Sequence, residues 1–270
     1  MIIIKSPREI NLMKEAGRVV GKVFDQLKEE IRPGISTLDI ANWCEEIIRN
    51  EGAYPTFLNY SGYLGAVCVS VNDEIVHGIP SKKRILRDGD IVSVDVGATL
   101  HGYVGDACRT FPVGICKEET LRLIKITEDS FFEGMKYMKP GNRLGDVSHA
   151  IQEYCEKNGY GIVREYTGHG VGSHLHEDPY IPNYGTRGSG PLLKEGMCLA
   201  VEPMVTQGSF KIRVLSDGWT AKTKDGKLSC HYENSIVITK DGFEILTKAE
   251  GPIVVVTDEA EQLAKTKETN

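Results

Sequence analysis

Between residues 10 and 31 apolar or small side chains recur at steps of three and four: Ile10, Met13, Gly17, Val20, Phe24, Leu27 and Ile31. That spacing places them along one face of an α-helix. Ser6-Pro7-Arg8-Glu9 supplies the start, because Ser6 can cap, Pro7 fits the first helical position and Glu9 completes a capping box. Pro33-Gly34 stops it. A second helix is predicted from Thr37 to about Asn50, closed by Gly52, with Ile40, Trp43, Cys44, Ile47 and Ile48 as its buried stripe. A third runs roughly over 118–138 until Lys139-Pro140-Gly141 breaks it, and a shorter fourth ends at Gly159. Runs rich in β-branched residues predict strands at 91–96, 105–111, 199–204 and 231–238, the first two forming a hairpin.

The pattern repeats. An offset of 107 residues carries Pro33-Gly34 onto Pro140-Gly141, Asp39 onto Asp146, Glu46 onto Glu153 and Gly52 onto Gly159. The same offset carries Leu86-Arg87-Asp88-Gly89 onto Leu193-Lys194-Glu195-Gly196, and Asp95 onto Glu202. Two copies of this length are not a solenoid. They predict two related halves, about 5–112 and 117–250, each a helix pair with a small antiparallel sheet, packed into one α+β domain over residues 1–257. A polar tail is expected at 258–270.

Composition narrows the function. Hydrophobic residues make up 40% and charged residues 26% of the 270, the balance of a soluble globular chain with a sizeable core. The net charge of −6 and the lack of a Lys/Arg block argue against a nucleic-acid partner. Seven scattered cysteines include no Cys-x-x-Cys pair, which excludes a zinc knuckle or dithiol redox motif and suits a reducing compartment. The apolar run Ile2-Ile3-Ile4 is too short for a secretion signal and no membrane-spanning stretch follows, so the expectation is a cytoplasmic protein without a membrane partner.

Asp95 lies in a run of valines, and a buried aspartate anion is costly unless paired or bound to metal. Asp106 lies in the returning strand, Glu202 follows Leu199-Ala200-Val201, and Glu233 sits in His231-Tyr232-Glu233-Asn234-Ser235. Taken singly, Asp95 reads as a strand-edge acid and Asp106 as a partner for Arg109. Four such coincidences are less economical than one shared cation site. His169, flanked by glycines in Thr167-Gly168-His169-Gly170, suits a ligand loop. His176-Glu177 begins like a zinc-protease helix but has Tyr180 where the second histidine belongs, so that motif fails. His77, in the apolar turn Val76-His77-Gly78, reads equally as a structural residue, and His101, His149, His174 and His231 read as surface or supporting positions. Four carboxylates and one imidazole suit manganese, iron(II) or cobalt at least as well as zinc, and so many converging charges call for two divalent ions and an acidified water between them.

At these residues the sequence resembles the type I methionine aminopeptidases, nearly end to end from about Ser6 to Ile253. The carriers are Val76-His77-Gly78-Ile79-Pro80, Asp88-Gly89-Asp90 leading to Asp95, Gly105-Asp106, Tyr166-Thr167-Gly168-His169-Gly170, His176-Glu177-Asp178-Pro179, Glu202-Pro203-Met204 and Tyr232-Glu233. The resemblance implies the pita-bread fold, two pseudo-symmetric halves whose curved antiparallel sheet is covered by helices. It implies removal of the initiator methionine from nascent polypeptides. Asp95 would hold one metal, Asp106 and Glu233 would bridge the pair, and His169 and Glu202 would complete the other site. Glu202 would also take the proton of the attacking metal-bridging water, His176 would steady the carbonyl, and His77 would bond near the scissile amide. Phe57, Tyr60, Tyr63, Cys68, Leu175 and Trp219 would wall the methionine pocket. In some relatives an aromatic residue stands in place of Leu175 and a smaller one in place of Phe57, and an unbranched thioether tolerates either lining. The resemblance leaves the metal open among cobalt, manganese, iron(II) and zinc. It implies a monomer and leaves ribosome association open. A proline-directed peptidase and a non-enzymatic peptide-binding protein are the competing readings on the same fold.

Overall fold

Ser6 caps helix α1 (Pro7–Glu30) as its sequence predicts: its hydroxyl accepts the Glu9 N–H, and the Glu9 carboxylate accepts the Ser6 N–H at 2.7 Å. The computed structural model describes residues 1–250. The expected domain end at 257 and the polar tail at 258–270 lie outside the described residues. Helix α1 buries its expected stripe from Met13 to Leu27 and leaves Ile10 and Ile31 at the ends half-buried. It adds Ala16, Val19, Gly21 and Val23 because it packs along both arms of the long hairpin. Helix α2 (Thr37–Asn50) buries Ile40, Cys44 and Ile48 and leaves Trp43 and Ile47 half-buried at its margin.

Helix α3 (Glu118–Met135) stops short of the expected 138. The chain tightens there, with Tyr137 N–H bonded to Gly134 O and Met138 N–H to Met135 O, the three-residue pattern that ends many helices. Helix α4 (Leu144–Lys157) follows, and the two pack together as α1 and α2 do. The offset of 107 reappears in the backbone. Gly34 and Gly141 both have φ +94°, Gly89 and Gly196 have +86° and +80°, and the isolated bridge Ser36 to Ile85 is echoed by Arg143 to Leu192. Positive φ is cheap only for glycine, so both turns require it.

The first half's sheet is built on the hairpin Ile91–Leu100 and Tyr103–Pro112, turned at His101-Gly102, with Cys68–Val71 and Tyr54–Pro55 added along the free edge of the first arm. The second half's main sheet orders its strands Phe243–Ile245, Asn234–Ile238, Cys198–Val201, Gly168–Gly170 and Glu177–Ile181. Each half has its own apolar core, and a third cluster containing Met13, Phe57, Tyr63, Leu175 and Leu246 joins them.

Two expected strands are each divided. The segment 199–204 becomes Cys198–Val201 and Met204–Thr206, broken at Glu202-Pro203 because Pro203 has no N–H for the ladder. The segment 231–238 becomes Ser229–His231 and Asn234–Ile238, broken at Tyr232-Glu233. Glu233 pairs its backbone with Cys108 in the other half instead, N–H to O at 3.0 Å. Ser235 Oγ completes the seam, donating to Asp106 O at 2.8 Å and accepting the Asp106 N–H at 3.1 Å. Both breaks aim a glutamate at the line where the halves meet.

Candidate active site

That line opens into a cavity of about 310 Å³. Asp95, Asp106, His169, Glu202 and Glu233 line its floor, and Phe57, Tyr60, Tyr63, Cys68, His77, Leu175, His176 and Trp219 line its walls. Every residue expected from the sequence is thus brought to one place.

Asp95 and Asp106 come from the two arms of the hairpin, where Asp95 faces Cys108 and Gly97 faces Asp106. His169 sits between two glycines for a steric reason. A Cβ at Gly168 would lie 2.4 Å from Ala200 O, and one at Gly170 only 2.1 Å from Asp178 O, so no larger residue lets the neighbouring strands close on the imidazole. His169 Nδ1 lies 2.9 Å from Gly170 O and must donate to it, which leaves Nε2 as a bare lone pair. That lone pair points at Asp106 Oδ2, 3.5 Å away, and Glu202 Oε1, 3.6 Å away.

These separations are too long for hydrogen bonds, and the groups facing each other are all electron donors. Asp95 Oδ1, Asp106 Oδ1 and Glu233 Oε1 are buried without a hydrogen-bond partner among the described residues. Asp106, His169 and Glu233 offer ligand atoms that all lie within 4.8 Å of one another. A cation among them satisfies the orphaned oxygens and the bare nitrogen together, so the site fits a divalent metal.

The acids feel that crowding. Burial holds the Asp95 carboxyl up at about 7. Burial, and after it the Asp95 charge, raises Asp106 well above the usual carboxylate range, and burial with the Asp95 and Asp106 charges does the same to Glu202. Glu233 is raised by burial, then by Asp106, Glu202 and Asp95. The imidazoles move the other way. Burial, with a smaller contribution from His176, lowers His77 and His169 to about 4, so both are neutral near pH 7.

Three features escape the sequence reading. His231, expected at the surface or as a supporting residue, is buried with Nε2 3.8 Å from Glu202 Oε2 and 3.7 Å from Glu233 Oε2. Its position two residues before Glu233, the same-face spacing of extended chain, is the signal that could have found it. Ser61 also lines the cavity, directly after Tyr60. Arg109 is not the partner of Asp106. Its guanidinium donates to Glu233 O, to Cys108 O at 2.9 Å and to Asn234 Oδ1 at 2.6 Å, 4.3 Å from the Tyr232 ring centroid. It therefore braces the strand that delivers Glu233.

The model of metallopeptidase family M24 matches residues 11–240. The chain belongs to this family. Among M24 relatives, methionine aminopeptidase 1 of Bacillus subtilis is 51% identical over 92% of this chain and 100% of its own length. The Escherichia coli methionine aminopeptidase is 42% identical over 91% of this chain and 94% of its own length. A crystal structure of methionine aminopeptidase from Thermotoga maritima superposes with a TM-score of 0.91 at 49% identity, covering 92% and 100% of the two chains. The Xaa-Pro dipeptidase of Bacillus anthracis has the same M24 fold at 26% identity and a TM-score of 0.76, and this chain spans only 64% of it. The pita-bread fold expected from the sequence is the fold these relatives share. Among the described residues no helix is long and apolar enough to cross a membrane.

Proposed function

We propose that the chain hydrolyses the peptide bond after the N-terminal methionine of nascent polypeptides, using two divalent metal ions. The observation that carries this reading is the floor of the cavity, where four carboxylates and the His169 lone pair converge beneath walls that include Phe57, Tyr63, Leu175 and Trp219. Asp95, Asp106 and Glu233 would hold one ion, and Asp106, His169, Glu202 and Glu233 the other. The identity lies among cobalt, manganese, iron(II) and zinc. When bound, the ions polarise the scissile carbonyl and acidify a water molecule.

The protein's own groups do the rest. Phe57, Tyr63, Cys68, Leu175 and Trp219 enclose the methionine side chain and exclude solvent from it. Glu202 accepts the proton that the attacking water gives up as its oxygen bonds to the carbonyl carbon. As the C–N bond breaks, Glu202 passes that proton to the leaving amine. His176 donates a hydrogen bond to the carbonyl oxygen as it becomes tetrahedral, a contribution of roughly 3 kcal/mol to lowering the barrier. His77, a neutral imidazole held at φ +60°, stands edge-on to the Tyr166 ring at 5.3 Å and presents a ring nitrogen to the scissile amide.

We read residues 1–257 as one catalytic domain, acting as a monomer in the cytoplasm on emerging chains, with ribosome association left open. The test is turnover after metal reconstitution. Met-Ala-Ser is expected to release free methionine, a bulky second residue to block release, and X-Pro peptides to be poor substrates. Faster cleavage of X-Pro peptides would transfer the assignment to the proline-directed branch of the family. Tight peptide binding with no metal uptake would make the protein a binding module.

A further inference from the structure

We infer that Tyr60 is a positioning residue for His176, holding its imidazole in the tautomer that presents Nε2–H to the substrate carbonyl. This rests on the reading of His176 as a hydrogen-bond donor and adds what makes it one. A neutral imidazole carries one N–H and one lone pair, and either ring nitrogen can hold the proton. If Nδ1 held it, Nε2 would present a lone pair to the developing oxyanion and repel it.

Tyr60 Oη lies 2.7 Å from His176 Nδ1, and the two rings meet edge-on with centroids 5.3 Å apart. A phenol is protonated at neutral pH and can donate. Among the described residues this hydroxyl has no other hydrogen-bond partner, so its proton is free for Nδ1. The donated bond occupies the Nδ1 lone pair and leaves the imidazole proton on Nε2. The His169 ring also packs against His176, edge-on with centroids 4.4 Å apart, so the imidazole has two ring neighbours.

The backbone around Tyr60 is specialised for the task. Asn59 and Ser61 both adopt left-handed angles, φ +66° and +49°, which non-glycine residues rarely take. The turn is fixed by Tyr60 N–H to Phe57 O and Tyr63 N–H to Tyr60 O, both 2.9 Å, and by Asn59 N–H to Tyr63 O at 2.7 Å. A residue serving only as an apolar wall needs no such conformation, and Tyr60 remains 38% exposed, a poor use of a tyrosine for packing.

The test is Tyr60→Phe in the metal-reconstituted enzyme, which removes one oxygen and keeps the ring. For Met-Ala-Ser, kcat is expected to fall about tenfold while KM changes by less than about twofold, the signature of an interaction made in the transition state. Metal content is expected to stay at the wild-type value. The ¹⁵N shifts of the His176 ring should report the Nε2–H tautomer in the wild type and a mixture in Tyr60→Phe. His176→Ala combined with Tyr60→Phe should be no slower than His176→Ala alone. Wild-type kcat with an unchanged tautomer in Tyr60→Phe, or a rise confined to KM, overturns the inference while leaving His176 in place. Full activity in His176→Ala overturns the parent reading, and this inference with it.

Discussion

At Asp95 burial opposes ionisation, and the Asp95 charge in turn adds to the burial that opposes ionisation of Asp106, Glu202 and Glu233. A carboxylate held there is unfavourable for folding and useful for metal binding. Asp95→Asn removes one of the crowded charges and keeps the shape. It is expected to abolish peptide hydrolysis and weaken metal uptake, while the metal-free protein melts at the same temperature or higher. Glu202→Gln should do the same to activity, because it removes both a metal-facing oxygen and the proton acceptor. Turnover assays paired with melting curves check both, and near-normal turnover in either would remove the residue from the mechanism. His231 belongs to this scale too. One residue before the Tyr232-Glu233 break, it is buried within 4 Å of Glu202 and Glu233 without lining the cavity itself.

Elements are held in place here by a few contacts that permit no substitution. Helix α1 crosses the hairpin where Gly105 would put a Cβ 2.7 Å from Gly17 N, and a Cβ on Gly17 would fall 2.1 Å from Leu246 O. The obstacles are backbone atoms and cannot swing aside. Gly17→Ala is therefore expected to destabilise by about 1–3 kcal/mol or more, read by chemical denaturation. The loop carrying Leu175 and His176 is anchored differently. Lys5 pairs with Glu177 while both side chains are almost fully buried, and Glu177 Oε1 accepts the His174 N–H at 3.3 Å. Lys5→Met strands the Glu177 charge and should cost about 3–5 kcal/mol. The double variant Lys5→Met, Glu177→Met removes the whole pair and should recover most of that loss. A double variant no more stable than the single one would mean that the ion pair is not what holds this loop.

For the whole molecule the clustered acids make stability depend on pH and metal. A group whose folded pKa is raised stabilises the fold below its ordinary value, and that contribution is lost as pH rises through the folded pKa. Asp95, held at about 7, and the other three acids, raised well above their usual range, all act in this direction. The buried histidines act oppositely. His77 and His169, lowered to about 4, and His231, lowered to about 3 chiefly by burial, lose their contribution as pH falls below the ordinary histidine value. Above about pH 7 the histidines are neutral in both states. The raised acids are joined there by the buried thiols of Cys44, Cys68, Cys108, Cys155, Cys198 and Cys230, which burial also raises, so that both sets act in the same direction. Metal-free protein should therefore melt at progressively lower temperature from about pH 7 to about pH 9. Saturating manganese should raise the melting temperature and flatten that slope, since it binds the folded chain and neutralises the same charges. A metal-free protein whose melting temperature rises over that interval would contradict the charge cluster as described.

The helix starts and stops, the 107-residue repeat and the set of five chemistry-bearing side chains were legible in the chain because each depends on residues close in sequence or on a pattern copied whole. Capping at Ser6, the turns at Gly34 and Gly141, and an aspartate among valines are of that kind. The division of two strands at Glu202 and Glu233, the burial of His231, the turning of Arg109 away from Asp106, and the bond from Tyr60 to His176 were not legible. Cys108 meets Glu233, Asp106 meets Ser235, and Tyr60 meets His176 across more than 100 residues of chain. Those contacts exist only once the halves close on each other. The free energy that breaks a strand or buries an imidazole comes from that closure, and local periodicity carries no record of it.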